Sequence, residues 1–240
     1  TKEIYILNAF AKTEDGGNPA GVVLNADNLS VKTMQKIAKQ IGFSETAFVQ
    51  SSNKADFKVQ FFTPNKEVDL CGHATIATFS LLLDKNIISS GTYTQETKAG
   101  ILNLEISKQD NSIFMNQTRP EFLETINKNE IAKSLNISPN KIVSNLPIQI
   151  VTTGLRDIII PIKGLKNLNQ IQPDFNYIKK LSKKYNVVGY HLFTLETKFN
   201  STAHCRNFAP LYDIPEEAAT GTSNGALASY LYHHGVLGDS

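Results

Sequence analysis

The sequence contains no tryptophan, two cysteines, two methionines and almost no net charge. Cys71 and Cys205 cannot build a disulfide framework, and so few cysteines point to a reducing, cytoplasmic setting. No Cys-x-x-Cys or His-Glu-x-x-His spacing occurs, so no metal is expected, and no glycine-rich phosphate loop is present. A formal charge of +2 gives no field that would draw nucleic acid or an anionic membrane as main partner. The run Ile158 to Ile162 is among the most apolar, yet it falls far short of the ~18 residues that cross a bilayer. Thr1 to Leu7 carries Lys2 and Glu3 and lacks the apolar core of a secretory signal. What remains is ordinary globular composition, 41% hydrophobic and 19% charged over 240 residues, enough for one or two domains.

Local signals give a mixture of strands and helices. Ile4 to Leu7 and Val22 to Leu24 are predicted strands, separated by a polar loop that ends at Gly16-Gly17-Asn18-Pro19-Ala20-Gly21. From Ser30, an N-cap candidate, Met34, Ile37, Ala38 and Ile41 recur at helical spacing until Gly42. Ser44 to Val49 and Phe57 to Phe62 are predicted strands, and Ala74 to Leu83 is a helix apolar on most sides. Further strands are expected at Leu102–Ile106, Ile113–Asn116, Ile148–Thr152, Asp157–Pro161 and Tyr190–Leu195. Helices are expected at Asn129–Leu135 and Tyr177–Lys184. Strands and helices do not alternate regularly enough for a doubly wound sheet.

A weak internal repeat carries more information. Phe62-Thr63-Pro64 is followed after seven residues by Gly72 and an apolar helix; Phe208-Ala209-Pro210 is followed after ten by Gly221 and another. Aligning the glycines superposes Ala77 on Ala226 and Leu82 on Leu231. Two related halves would each present a helix N-terminus to a common cleft, and such termini bind anions. Gly72 and Gly221, having no Cβ, permit close approach of a carboxylate; equally, they are simply tight entries to helices.

Glu45 stands after a predicted helix end and opens an apolar strand. Desolvation there would raise its pKa into the range of a general acid or base, while a rim ion pair explains it as well. Cys71 and His73, two apart on a predicted strand, form a thiolate–imidazole pair or a structural cysteine beside a histidine that caps a turn. Glu216 and Glu217 precede a helix start, where the dipole alone favours acids. His204 and Arg206 are ordinary strand residues, Lys179, Lys180, Lys183 and Lys184 a solvated helix face, and His233 and His234 a helix C-terminus without chemistry.

Taken together, these segments resemble the PhzF-like isomerases of phenazine biosynthesis, which share the diaminopimelate epimerase fold. The likeness rests on Asn8-Ala9-Phe10 with Gly17-Asn18-Pro19-Ala20-Gly21, Ser44 to Val49, and Phe62-Thr63-Pro64 through Leu70-Cys71-Gly72-His73-Ala74-Thr75. It closes with Arg206-Asn207-Phe208-Ala209-Pro210 and Ala219-Thr220-Gly221. The resemblance implies an α/β (α+β) fold of two pseudo-symmetric domains, residues 1–116 and 117–240. Each would be a curled, mostly antiparallel sheet or barrel around a central helix, with the site between the domains. It implies a cofactor-independent, homodimeric enzyme acting on a small molecule.

Carried over position by position, the resemblance makes Glu45 the catalytic acid/base and His73 the site histidine. Glu217 takes the place of a family aspartate, and Ala218 that of a proline. Asn18, Gly72, Thr220, Gly221 and Thr222 would bind substrate, Thr222 standing where the family has serine. The epimerases and proline racemases of the same fold use two opposed cysteines. Cys71 matches the first, but Ala219 stands roughly at the second, so proton transfer on one face is favoured over inversion. An amino-acid epimerase using Cys71, or a non-catalytic small-molecule-binding protein on this scaffold, are the alternatives. Family members also run a few strands past the segment matching Gly235 to Gly238, so either the second domain lacks its last strands or the chain continues beyond Ser240.

Overall fold

Helix α1 (Val31–Ile41) forms where its signals stand. Ser30 Oγ accepts from the Thr33 N–H, and Gly42 ends the helix at φ 76° with its N–H bonded to the Ala38 carbonyl. Met34 and Ala38 supply its buried face. The computed structural model describes residues 2–13 and 16–238, and the chain divides into two units, Thr1–Asn116 and Gln117–Ser240.

In the first unit, strands β1 (Tyr5–Ala9), β2 (Asn18–Val23), β3 (Thr46–Gln50) and β4 (Phe57–Phe62) precede a short β5 (Glu67–Val68). Helix α2 (Gly72–Asp84) follows, then β6 (Gly91–Thr97), β7 (Gly100–Ile106) and β8 (Ile113–Met115). The sheet order is β1-β2-β3-β4-β6-β7-β8, with β5 beside β4. Pairing is antiparallel except for β2–β3 and β4–β6. Helix α2 touches β1 and β8, the two ends of this order, so the sheet curls around it. This explains a helix with no polar stripe: Ala74, Ala77, Phe79, Leu81 and Leu82 are all buried against the sheet. Each fully buried Leu or Phe contributes roughly 1.5–3 kcal/mol.

The second unit repeats the plan. Strands β9 (Glu121–Thr125), β10 (Gln149–Thr152), β11 (Arg156–Pro161), β12 (Gly189–Thr194), β13 (His204–Ala209) and β14 (Ile214–Glu217) lie in the order β14-β13-β12-β11-β10-β9. Helices α3 (Lys128–Ser134), α4 (Leu165–Asn169) and α5 (Phe175–Tyr185) belong to the core on one sheet face, through Ile131, Leu168, Ile178 and Leu181 packed with Ile158, Ile160 and Leu192. Helix α6 (Gly221–His233) covers the other face, where Ala226, Leu227, Tyr230 and Leu231 meet Val151, Ile159 and Phe193. Only β11–β12 is parallel. The curled α/β sheets are those of the diaminopimelate epimerase-like fold.

Gly189 has a steric reason to be glycine. A Cβ there would collide with the Phe208 carbonyl oxygen of β13, the strand paired beside β12 at this point.

Several local expectations differ from the structure. Strands β6, β9 and β14 carry weak signals in sequence, since Thr, Glu and Gln fill much of them and no apolar run marks them. Cys71 and His73 are not on a strand: Cys71 is the extended residue before α2 and His73 the helix's second residue. His73 caps no turn. Arg206 is more than an ordinary strand residue. It forms a two-pronged ion pair with Glu216, 2.7 and 2.9 Å, and donates to the carbonyls of Leu168 and Ile171. Lys184 and Lys179 on the α5 face pair with Glu130 and Asp213. No helix of the described residues is long and apolar enough to cross a membrane.

Candidate active site

Glu45 sits directly before β3, where its carbonyl accepts from the Gly21 N–H and ties it to β2. Its side chain is buried, 8% exposed, an unusual position for a carboxylate. His73, 5% exposed, is carried to it by the first turn of α2. The two ring nitrogens face different neighbours. Nδ1 lies 3.4 Å from Cys71 Sγ, while Nε2 lies 3.4 Å from Ser44 Oγ and 3.5 Å from Glu45 Oε2.

Burial lowers the His73 pKa to about 4. A carboxylate at 3.5 Å pulls the other way, but at that separation it does not offset the desolvation of an imidazolium, so the ring is neutral at pH 7. A neutral ring carries one N–H. With that proton on Nε2 it donates toward Ser44, with Glu45 Oε2 beside the same nitrogen, and Nδ1 accepts from the Cys71 S–H.

Among the described residues, Glu45, Cys71 and His73 are a group whose donor atoms all lie within 4.8 Å of one another. They suit an ion poorly. The thiol and the carboxylate address opposite nitrogens of one ring, so an ion bonded to either nitrogen at ~2.0–2.1 Å would have only one of them beside it. Helix α2 starts with no side-chain cap and no acid in its first turn, which leaves the positive end of its dipole uncompensated by its own residues.

In the second unit Thr220 is the residue before α6, and its Oγ1 accepts from the Ser223 N–H at 3.5 Å. The turn is clamped from below. Gln117 Nε2 donates to the Gly221 carbonyl at 3.2 Å, and Thr153 Oγ1 lies 3.3 Å from the Thr222 carbonyl. Ser223 Oγ donates to Asp157 Oδ2 at 2.6 Å. Asp157 is 1% exposed, and burial, helped by the charge of Glu217, raises its pKa to about 7 against the bond from Ser223. Beside it on the same sheet face, His191 Nδ1 meets Asn207 Oδ1 at 3.1 Å, and burial lowers the His191 pKa to about 4.

Residues 7–240 match the PhzC-PhzF family, described as phenazine biosynthesis-like protein. The chain belongs to this family. An uncharacterised isomerase of Clostridium acetobutylicum is 41% identical, over 96% of this chain and 79% of that protein. The trans-2,3-dihydro-3-hydroxyanthranilate isomerase of Pseudomonas chlororaphis is 31% identical, over 97% of this chain and 80% of its own length. Among solved structures, the PhzF-family phenazine biosynthesis protein of Bacillus anthracis superposes with a TM-score of 0.89 at 35% identity, covering 95% of this chain and 79% of that one.

Of the residues that the PhzF likeness singled out, the structure brings Glu45 and His73 together and adds Ser44 and Cys71 to them. Gly72 opens α2, and Asn18 is buried at the first position of β2, opposite Ala9. Thr220, Gly221 and Thr222 form the start of α6, and Glu217 ends β14. Asp157, His191 and Ser223 went unnoticed in sequence. The one available signal was an aspartate leading into the apolar run Ile158 to Ile160, where a charge has no reason to be unless it is held.

Proposed function

We propose that this isomerase shifts a proton on a small, carboxylate-bearing cyclic amino or hydroxy acid, with Glu45 as the general acid and base. The observation that carries the reading is the buried Glu45 carboxyl held beside a neutral His73. Glu45 takes a proton from carbon, the C–H electron pair moves into the adjacent π system, and the far end of that system takes the proton back from Glu45. No net oxidation occurs and no cofactor is required. The amides at the α2 start take the substrate carboxylate and stabilise charge as it develops, and Gly72 keeps that approach open. By the family likeness, Thr220, Gly221 and Thr222 offer amides of the same kind at the α6 start, and Asn18 and Glu217 carry over as polar substrate-binding positions. The isomerase names of the relatives support the reaction class, and the hydroxyanthranilate named for one of them supports the ring-bearing acid. The family likeness further implies a homodimer, which analytical ultracentrifugation reads directly.

The test is deuterium uptake at carbon in D2O, followed by mass spectrometry on trans-2,3-dihydro-3-hydroxyanthranilate and related cyclic acids. Glu45→Gln is expected to lower uptake by at least ~10²–10⁴-fold, the usual worth of a general base. Uptake within a factor of a few of wild type sinks the assignment.

The 3.4 Å contact of Cys71 with His73 favours one competing reading, an epimerase in which Cys71 is the base. Cys71→Ala separates the two: near-wild-type exchange supports Glu45, and loss of exchange supports the thiol.

A further inference from the structure

The two units share a plan but not a chemistry. In the first, β3 pairs Thr46 with Phe62, and β2 sets Gly21 beside Thr46. In the second, β12 pairs Tyr190 with Phe208, and β11 sets Ile158 beside Tyr190. With Phe62 matched to Phe208, Glu45 falls on Gly189 and Ala20 falls on Asp157. Each unit thus places one buried acid below the start of its central helix, but on neighbouring strands. The acid is Glu45 in the first unit, where alanine occupies the position of Asp157. In the second unit it is Asp157, and Gly189 occupies the position of Glu45.

We infer that Asp157 is a positioning residue for the α6 start, holding it through the Ser223 hydroxyl and setting by its charge how strongly that start takes up a carboxylate. The route is continuous: Thr220 Oγ1 lies 3.3 Å from Ser223 Oγ, which donates to Asp157 Oδ2 at 2.6 Å. Thr220 Oγ1 in turn receives the Ser223 amide, so the acid is linked to the turn that carries Gly221 and Thr222. An ionised carboxylate below a helix N-terminus offsets its positive end, and a neutral one leaves that end for a ligand. With its pKa raised to about 7, Asp157 changes charge in the neutral range.

The groups facing Asp157 are few. Ser223 of α6 donates to it, the Gly189 N–H of β12 lies toward its carboxyl group, and Glu217 of β14 is the neighbouring charge. His191, two residues along β12, is neutral in this range. Arg156, the preceding residue of β11, turns to the Tyr185 carbonyl and Glu124 instead.

The carboxylate part of this inference rests on the substrate-binding reading of Thr220 to Thr222; the hold on the turn does not. The experiment separates them. In ¹⁵N-labelled full-length protein, the amides of Gly221, Thr222 and Ser223 are expected to shift together with an inflection near pH 7. Asp157→Asn should abolish the inflection, and Ser223→Ala should at least halve the shift at Gly221 and Thr222. The same inflection in Asp157→Asn, or none in wild type, overturns the inference. An undiminished shift in Ser223→Ala overturns the route through the hydroxyl.

The second arm measures binding of 2-aminobenzoate, an anion throughout this range. Wild type should lose roughly five- to tenfold in affinity between about pH 6 and pH 8.5, and Asp157→Asn should be flat within about twofold. Equal pH dependence in both proteins overturns the electrostatic part. A probe that binds neither protein while the amide titration persists overturns the substrate-binding reading and leaves Asp157's hold on the turn supported.

Discussion

Acidification should destabilise the first unit through His73, and the effect can be isolated by a substitution. In the folded chain His73 is buried, with its pKa lowered from 6.5 to about 4. The sign follows from proton binding. Between these two values the unfolded chain holds a proton on residue 73 that the folded chain does not, so stability is complete above pH 6.5 and falls as the pH drops. At about pH 5 the loss is ~2 kcal/mol from this residue, against almost nothing near pH 7.5. His191, lowered to about 4 for the same reason, loses a similar amount in the second unit. Asp157 runs the other way: its raised pKa makes the folded chain the better proton binder, and acidification returns stability over the same interval.

In the wild-type protein these opposing contributions partly cancel, so the share of any one residue is hidden. His73→Gln exposes that of residue 73. Urea unfolding followed by circular dichroism, run on wild type and variant at both pH values, should show their stability difference moving by ~2 kcal/mol in favour of the variant at the lower pH. A difference that stays constant within about 0.5 kcal/mol would refute the argument that burial outweighs the Glu45 contact at His73.

Two further outcomes follow from single contacts. Gly189→Ala must push β13 away from β12 to clear the Phe208 carbonyl, and we expect a cost of roughly 2–4 kcal/mol in thermal unfolding, whereas Gly42→Ala, with open space at its Cβ, should pay only the milder cost of its left-handed backbone. Arg206→Lys loses the two-pronged pairing with Glu216 and at least one of the bonds to Leu168 and Ile171, for an expected ~1–3 kcal/mol; an unchanged melting temperature would show that this hub is dispensable.

Much of the fold was legible because local chemistry and tertiary context agreed. Ser30 and Gly42 bracket α1 as cap residues do anywhere, and the uncharged run after Gly72 could only be a helix enclosed by sheet. The spacing of Phe62-Thr63-Pro64 and Phe208-Ala209-Pro210 before Gly72 and Gly221 was a weak hint of two related halves. Strands such as Gly91–Thr97 were silent, since a strand wetted on one face and paired across its backbone needs few apolar side chains.

The candidate site divides along the same line. The order of residues determined which side chains were available: Glu45 at the end of a polar turn, and Cys71, Gly72 and His73 at a helix entry. Family likeness then attached roles to them. Only the tertiary structure decided which nitrogen of His73 meets which neighbour, because that depends on how the first turn of α2 is rotated against the end of the Ser44–Glu45 segment. Asp157 belongs to the structure altogether. In sequence it is one acid before three isoleucines; its burial, its bond to Ser223 and its raised pKa arise from strands and a helix more than thirty residues away, and no local pattern encodes a field that distant segments create.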